Sequence, residues 1–218
     1  MAKSYVILKD APVMDYTKDY VALPDNYGTY EYFNREDVKA IRDTVFAALN
    51  DLDERTGIAK EMAGYEKVII KPNLVNVYHN SGYYDKDGGT DFPETTDPRV
   101  FEAVVNWVKQ YNPNIIIAES SGKPFPAAGS FKITHYDWIA KQYGAELVPL
   151  ERRPVVRYML PKAEVMKEIL IPDTFDDIVN GKAFYISVPK MKTNIYTGVT
   201  LGFKNAMGTI PYFLRERN

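Results

Sequence analysis

Short, nearly continuous apolar runs alternate along this chain with stretches whose apolar residues recur every three or four positions. That alternation predicts strands and helices taking turns in an α/β fold. The runs are residues 5–8 (YVIL), 67–71 (KVIIK), 114–118 (NIIIA) and 183–188 (AFYISV), with 146–150 (ELVPL) as a strand or strand edge interrupted by Pro149. Unbroken centres such as VII and III suit parallel strands covered on both faces. The expected architecture is therefore a mostly parallel sheet with helices on both faces, an open three-layer sandwich, in which the strands at 68–71, 114–118 and 183–188 are neighbours.

The helical stretches carry start and stop signals of their own. Asn34 reads as a cap for a helix on which Val38, Ile41, Val45, Phe46 and Leu49 share one side, running to about Leu52, with Glu36 and Asp37 in its first turn. Asp97 followed by Pro98 opens a second, continued by Val100, Val104, Trp107, Val108 and Tyr111. A third spans 135–143 and closes at Gly144. In 197–207, Thr197, Thr200 and Lys204 would share one helical face and Val199, Phe203 and Met207 another, with Gly198 and Gly202 weakening the helix but allowing close packing. Residues 151–180 are the least patterned, an irregular insertion with two short extended segments (RRPVVRYMLP, EILIP) that suggest a hairpin. Residues 74–96 form a polar loop, and loops beyond about 12–15 residues are usually functional or disordered.

Composition narrows the picture. The chain has 218 residues, 45% of them hydrophobic, which fits one large domain spanning 1–218 that buries about 70% of its unfolded surface. It has no Cys, which excludes disulfides, thiolate zinc sites, a cysteine nucleophile and Cys-ligated iron–sulfur clusters held by this chain itself. With two His, His79 and His135, in separate segments, no transition-metal site is expected. A formal net charge of −2 provides no overall basic field for nucleic acid, so any cationic site must be local. The N-terminus has no apolar stretch of signal-peptide length and the chain no 18-residue apolar run, so the expectation is a cytoplasmic protein without a membrane segment.

Where that local site should lie follows from the fold class, because ligands of open parallel sheets bind beyond the carboxyl ends of the strands. Lys71 and Asn73 end the first buried strand, and Glu119, Ser120 and Ser121 end the second. Lys190, Lys192 and Thr193 follow the last, with Lys204 and Asn205 one segment later. Four ammonium groups with amide and hydroxyl donors suit a phosphate or carboxylate. Solvated lysines without a ligand would scatter instead; the expectation is that at least three of the four approach a common cleft with Asn73, Ser120 and Thr193. Glu119, a carboxylate beside several lysines, is the acid/base candidate, and Lys190 the second catalytic candidate. The remaining named residues are candidates for holding a ligand or a cofactor of unknown identity. Asp85, Asp87 and Asp91 invite a calcium reading, but Thr90 and Thr96 stand where an EF-hand loop needs Gly and Glu, which leaves a weaker Mg²⁺ or Ca²⁺ site or an acidic flap over the cleft. No G-x-S-x-G, P-loop or G-x-G-x-x-G is present.

The strings VIIKPNLV, TTDPRVFEAVVNWV, IIIAESSG and SVPKMKTNIYTGVTLGFKNAMG resemble the domain of unknown function 362 family, with its KPN strand end, PKxKT turn and late LKN-G segment, over residues 68–208. The family pattern often has His after PKxKT, where this chain has Asn194. The resemblance implies ferredoxin-like iron–sulfur modules elsewhere in the family and no particular reaction. Two expectations follow: an enzyme of unassigned reaction acting on an anionic small molecule, or a non-catalytic core that docks a ferredoxin-like iron–sulfur protein or another subunit.

Overall fold

The structure, a computed structural model, describes residues 4–11, 22–75, 95–120, 126–194 and 198–215. In chain order the elements are α1 (Tyr30–Phe33), α2 (Glu36–Thr56), α3 (Ile58–Ala63), β1 (Lys67–Lys71), α4 (Pro98–Lys109), β2 (Ile115–Glu119), α5 (Ala127–Ile133), α6 (Tyr136–Tyr143) and β3 (Glu146–Pro149). After them come β4 (Val155–Met159), β5 (Glu168–Pro172), α7 (Asp173–Val179), β6 (Ala183–Ser187), β7 (Lys192–Asn194), β8 (Gly198–Thr200) and α8 (Gly202–Ala206).

The chain folds as an α/β protein around a four-stranded, all-parallel sheet of order β3-β2-β1-β6. Ile69 pairs with Ile116 on one side and with Tyr185 on the other, so the three strands expected to be neighbours are neighbours and β1 is central. The two sheet faces are covered differently. Val68, Ile70, Ile115 and Ile117 pack under α2 to α6, with Phe101, Trp107, Tyr136 and Ile139 completing the larger core. Ile69, Ala118 and Val148 face Ile171 and Phe175 of the antiparallel β4–β5 hairpin and α7. This arrangement follows from handedness. The chain steps from β1 to β2 to β3 in one direction, with helices on one face, and must return to β6 over the opposite face if each crossover is to be right-handed. The second outer layer is thus a hairpin plus one short helix rather than a row of helices.

Several sequence expectations need correction. Residues 5–8 form no strand: Val6 is 82% and Leu8 87% exposed, and the segment has no ladder partner among the described residues. An apolar run alone does not make a strand without a neighbouring edge to pair with. Asn34 closes α1, where its backbone N–H bonds Tyr30 O and Tyr32 O, and α2 begins after Arg35 and continues past Leu52 to Thr56, ending at the left-handed Gly57. The two extended segments expected within 151–180 do pair as a hairpin, β4 with β5, and α7 follows them, so the stretch is more ordered than an irregular insertion. The helix expected over 197–207 is limited to α8; Val199 and Thr200 instead belong to β8, paired antiparallel with β7. Two glycines four residues apart, with Gly198 at φ 72°, allow this break. The strands at 114–118 and 183–188 are shifted or shortened by one residue, and the helix expected to reach Tyr111 stops at Lys109.

A buried lysine clamp and a cationic cleft

The parallel register delivers Lys71, Glu119 and Ser187 to one edge of the sheet, at the carboxyl ends of β1, β2 and β6. There Lys71, only 1% exposed, donates to Pro72 O, Glu119 Oε2 and Asn205 Oδ1, each at 2.9 Å. An ammonium has three donors, and all three are used. Glu119 is as buried and as engaged. It lies 2.9 Å from Lys71 through Oε1 as well, and it accepts from Leu74 N at 3.1 Å and Ser120 N at 2.8 Å. Asn205 turns its amide the other way, donating to Ser187 Oγ at 2.9 Å and so tying α8 to β6. One ion pair therefore joins β1, β2 and the segment around α8.

Burial governs the protonation of the pair. Desolvation pushes the Lys71 ammonium down, and the Glu119 charge opposes that; desolvation pushes the Glu119 carboxyl up, opposed by Lys71 and the Leu74 and Ser120 N–H groups. Burial outweighs the partner in both residues, so each charged form is less favoured than in water and leans on the other for support. Gly208 closes the clamp from above. A Cβ on Gly208 would lie 2.7 Å from both Glu119 Oε1 and Lys71 Nζ, so the backbone approaches as only glycine permits, and Gly208 O accepts from Ser120 N at 3.2 Å.

Above this clamp opens a cleft of about 350 Å³. Its walls bring together nine of the ten candidates: Lys71, Asn73, Glu119, Ser120, Lys190, Lys192, Thr193, Lys204 and Asn205 all line it. Ser121 lies outside the described residues, as do His79 and the aspartates at 85, 87 and 91. Thr96, just before α4, is tied to the end of β1: its hydroxyl donates to Val188 O at 2.7 Å and accepts from Asn73 N at 3.0 Å. Asp97 then caps α4 by accepting from Arg99 N.

Among the described lining residues, one charged side chain was not a candidate. Arg215 follows a 3₁₀ turn over Tyr212–Leu214, and it donates through Nε to Ile210 O at 2.9 Å and lies 3.4 Å from Ser120 Oγ. Burial lowers its pKa, with Glu119 acting in the opposite sense. It follows the last recognisable motif, and a single Arg near the end of a chain carries no spacing signal. The described lining therefore holds five cationic side chains and one carboxylate, and that carboxylate is committed to Lys71. Such a donor set suits an anion and repels a divalent cation.

Residues 68–217 match the family described as Domain of unknown function (DUF362). The chain belongs to the DUF362 family. No curated protein and no solved structure matches it. The DUF362 region begins in β1 and extends beyond Arg215, so every described lining residue of the cleft falls inside it, whereas α1 to α3 precede it. The expected likeness over residues 68–208 is thus met and slightly exceeded. Among the described residues no helix is long and apolar enough to cross a membrane.

Proposed function

We propose that this protein binds a small anionic molecule or cofactor through a phosphate or carboxylate group in the cleft at the carboxyl ends of β1, β2 and β6, and acts on it as an enzyme. The observation that carries this reading is the meeting of Lys190, Lys192, Lys204 and Arg215 above an already neutralised Lys71–Glu119 pair. Like charges gathered at one site repel one another, and an anion offsets that cost. The clamp supplies the floor. With all three Lys71 donors and both Glu119 oxygens engaged, the pair fixes the cleft's shape, and a ligand would be oriented by the walls, by Lys190, Lys192 and Lys204 with Asn73, Ser120 and Thr193. In this arrangement Lys190 is placed to stabilise negative charge as it develops on the ligand, and Glu119 can exchange a proton only by loosening its hold on Lys71.

Thermal melts test the reading with a panel of inorganic phosphate, sulfate, nucleotides, phosphosugars and dicarboxylates. A ligand at a hundredfold excess over its Kd stabilises the native state by about 2.7 kcal/mol. The expected result is a rise in Tm for at least one anion, reduced in Lys190→Ala and Lys204→Ala. If no anion shifts the wild type more than those variants, the reading fails.

A second reading has its own observation. Met191, Val199, Leu201, Phe203, Met207 and Phe213, in the segments that wall the cleft, are all more than 40% exposed, and Phe203 is 101% exposed. Apolar exposure of this kind is a feature of surfaces that dock another protein, and a non-catalytic core that holds a ferredoxin-like or other subunit would use it. Native mass spectrometry separates the two: a co-purified small molecule supports the first, a stoichiometric partner chain the second.

A further inference from the structure

Beside the cationic cleft lies a second cavity of about 220 Å³, and Pro189 and Lys190 belong to the walls of both. Its character is opposite. Ile41 and Val45 of α2, Val100 of α4, and Met191 give it an apolar lining. Thr44, Thr96 and Asp97 in its lining are turned to internal partners. The Thr44 hydroxyl donates to Ala40 O at 2.7 Å, and the Thr96 hydroxyl is shared between Val188 O and Asn73 N. Both Asp97 oxygens accept from Arg99, Oδ1 from N and Nε and Oδ2 from Nη2 at 2.6 Å. With those hydrogen-bonding groups already used, the cavity offers a ligand chiefly apolar contact.

Charge on one side of Pro189–Lys190 and an apolar chamber on the other describe a ligand with two unlike ends. We infer that the cleft takes an amphipathic anion, whose phosphate or carboxylate sits among Lys190, Lys192 and Lys204 while an attached apolar portion passes over Pro189 into the chamber between α2 and α4. This inference rests on the anion-binding reading and narrows it to a ligand class. The volumes agree with it: at about 350 Å³ the cleft alone is at the small end of ligand pockets, which run from about 300 to 1,000 Å³, and the chamber extends it. The division also follows the chain, because the cleft lies wholly within residues 68–217, whereas the chamber draws Ile41, Thr44 and Val45 from α2, outside that region. The family cleft would supply the head-group site, and α2 the selection of the tail.

Calorimetric titration of the full chain with two series, n-alkyl phosphates and n-alkanoates of one to eight carbons, with inorganic phosphate alongside, tests the assignment. Each methylene that leaves water for an apolar site strengthens binding by up to about fourfold, so Kd should fall stepwise with chain length and then level off once the chamber is full. The readout is the slope against chain length, not the absolute affinity. Val100→Phe on α4 and Thr44→Phe on α2 fill the chamber from different helices, and either should flatten the slope. Lys204→Ala should weaken every member and leave the slope. Binding of inorganic phosphate and of the shortest members with no dependence on chain length overturns the amphipathic assignment and leaves the anion site standing. A slope that survives both filling substitutions overturns it too, since the tail then lies elsewhere. If no member of either series binds, and phosphate does not bind, the anion site itself fails, and the assignment with it.

Discussion

The floor and the rim of the cleft are built from the same residue type and behave as different materials. Lys71 is 1% exposed, spends three hydrogen bonds on a carbonyl, a carboxylate and an amide, and is covered by the backbone of Gly208. Lys190, Lys192 and Lys204 line the same cavity only half-buried, on the connection after β6, on the short β7 and on the five-residue α8. A buried, saturated lysine is bound to its partner, because removing either one strands a charge in low dielectric. A lysine at the wall of a wet cleft contributes little to stability, and on the anion-binding reading the gain from gathering such lysines comes from the ligand.

The comparison breaks most visibly at the floor. Lys71→Met or Glu119→Leu should each cost about 3–5 kcal/mol in urea unfolding, the usual consequence of leaving half of a buried pair, while the double variant should cost less than the two single losses together. Additive losses would mean that the two residues do not act as a unit. Gly208→Ala should follow at about 1–3 kcal/mol, because the new Cβ meets the Lys71 and Glu119 head groups and they cannot retreat without losing their bonds. A neutral Gly208→Ala would show the clamp to be loose. At the rim the sign of the contrast reverses. Lys204→Ala should leave the unfolding midpoint within about 0.5 kcal/mol of wild type and yet weaken phosphate binding by roughly tenfold or more, as loss of a charge-assisted hydrogen bond does.

A carboxylate away from the cleft sharpens the comparison further. Glu102 on α4 is 1% exposed and accepts from the Tyr143 hydroxyl rather than from a lysine. Burial raises its pKa, against the Tyr143 bond and the Arg42 charge. The folded form therefore binds the Glu102 proton more tightly than the unfolded chain. Its contribution to stability is fully present below the unfolded pKa, near 4.5, and is lost as pH rises through the folded value. Glu102→Gln should remove that decline, giving a flatter curve of unfolding free energy between mildly acid and neutral pH. An unchanged slope would assign the decline to other groups.

How far the sequence could be read follows from the same physics. The central strands were legible because VII and III have no solvent side, and α4 because Asp97 and Pro98 both mark its start. The short α1, α5 and α7, of four to seven residues, have too few turns for a periodicity to be heard. The β7–β8 hairpin was hidden because Val199, Phe203 and Met207 keep helical spacing by coincidence while Gly198 and Gly202 leave the backbone free to turn. For the site, the strand ends of the parallel sheet dictate the place of Lys71, Asn73, Glu119, Ser120 and Lys190, and the segments that follow β6 carry Lys192, Thr193, Lys204 and Asn205 into the same cleft. Position did not separate floor from rim. That distinction depends on burial and on the approach of Gly208, 89 residues after Glu119 in the chain.

Whether the rim lysines bind an anion that the floor does not need can be measured by isothermal titration of inorganic phosphate into the wild type and into the Lys190→Ala/Lys204→Ala double variant, after both have shown the same unfolding midpoint. Saturable binding is expected for the wild type, with a loss of at least about tenfold in the double variant. Equal affinity in the two proteins, or no saturable binding to the wild type, would contradict that expectation.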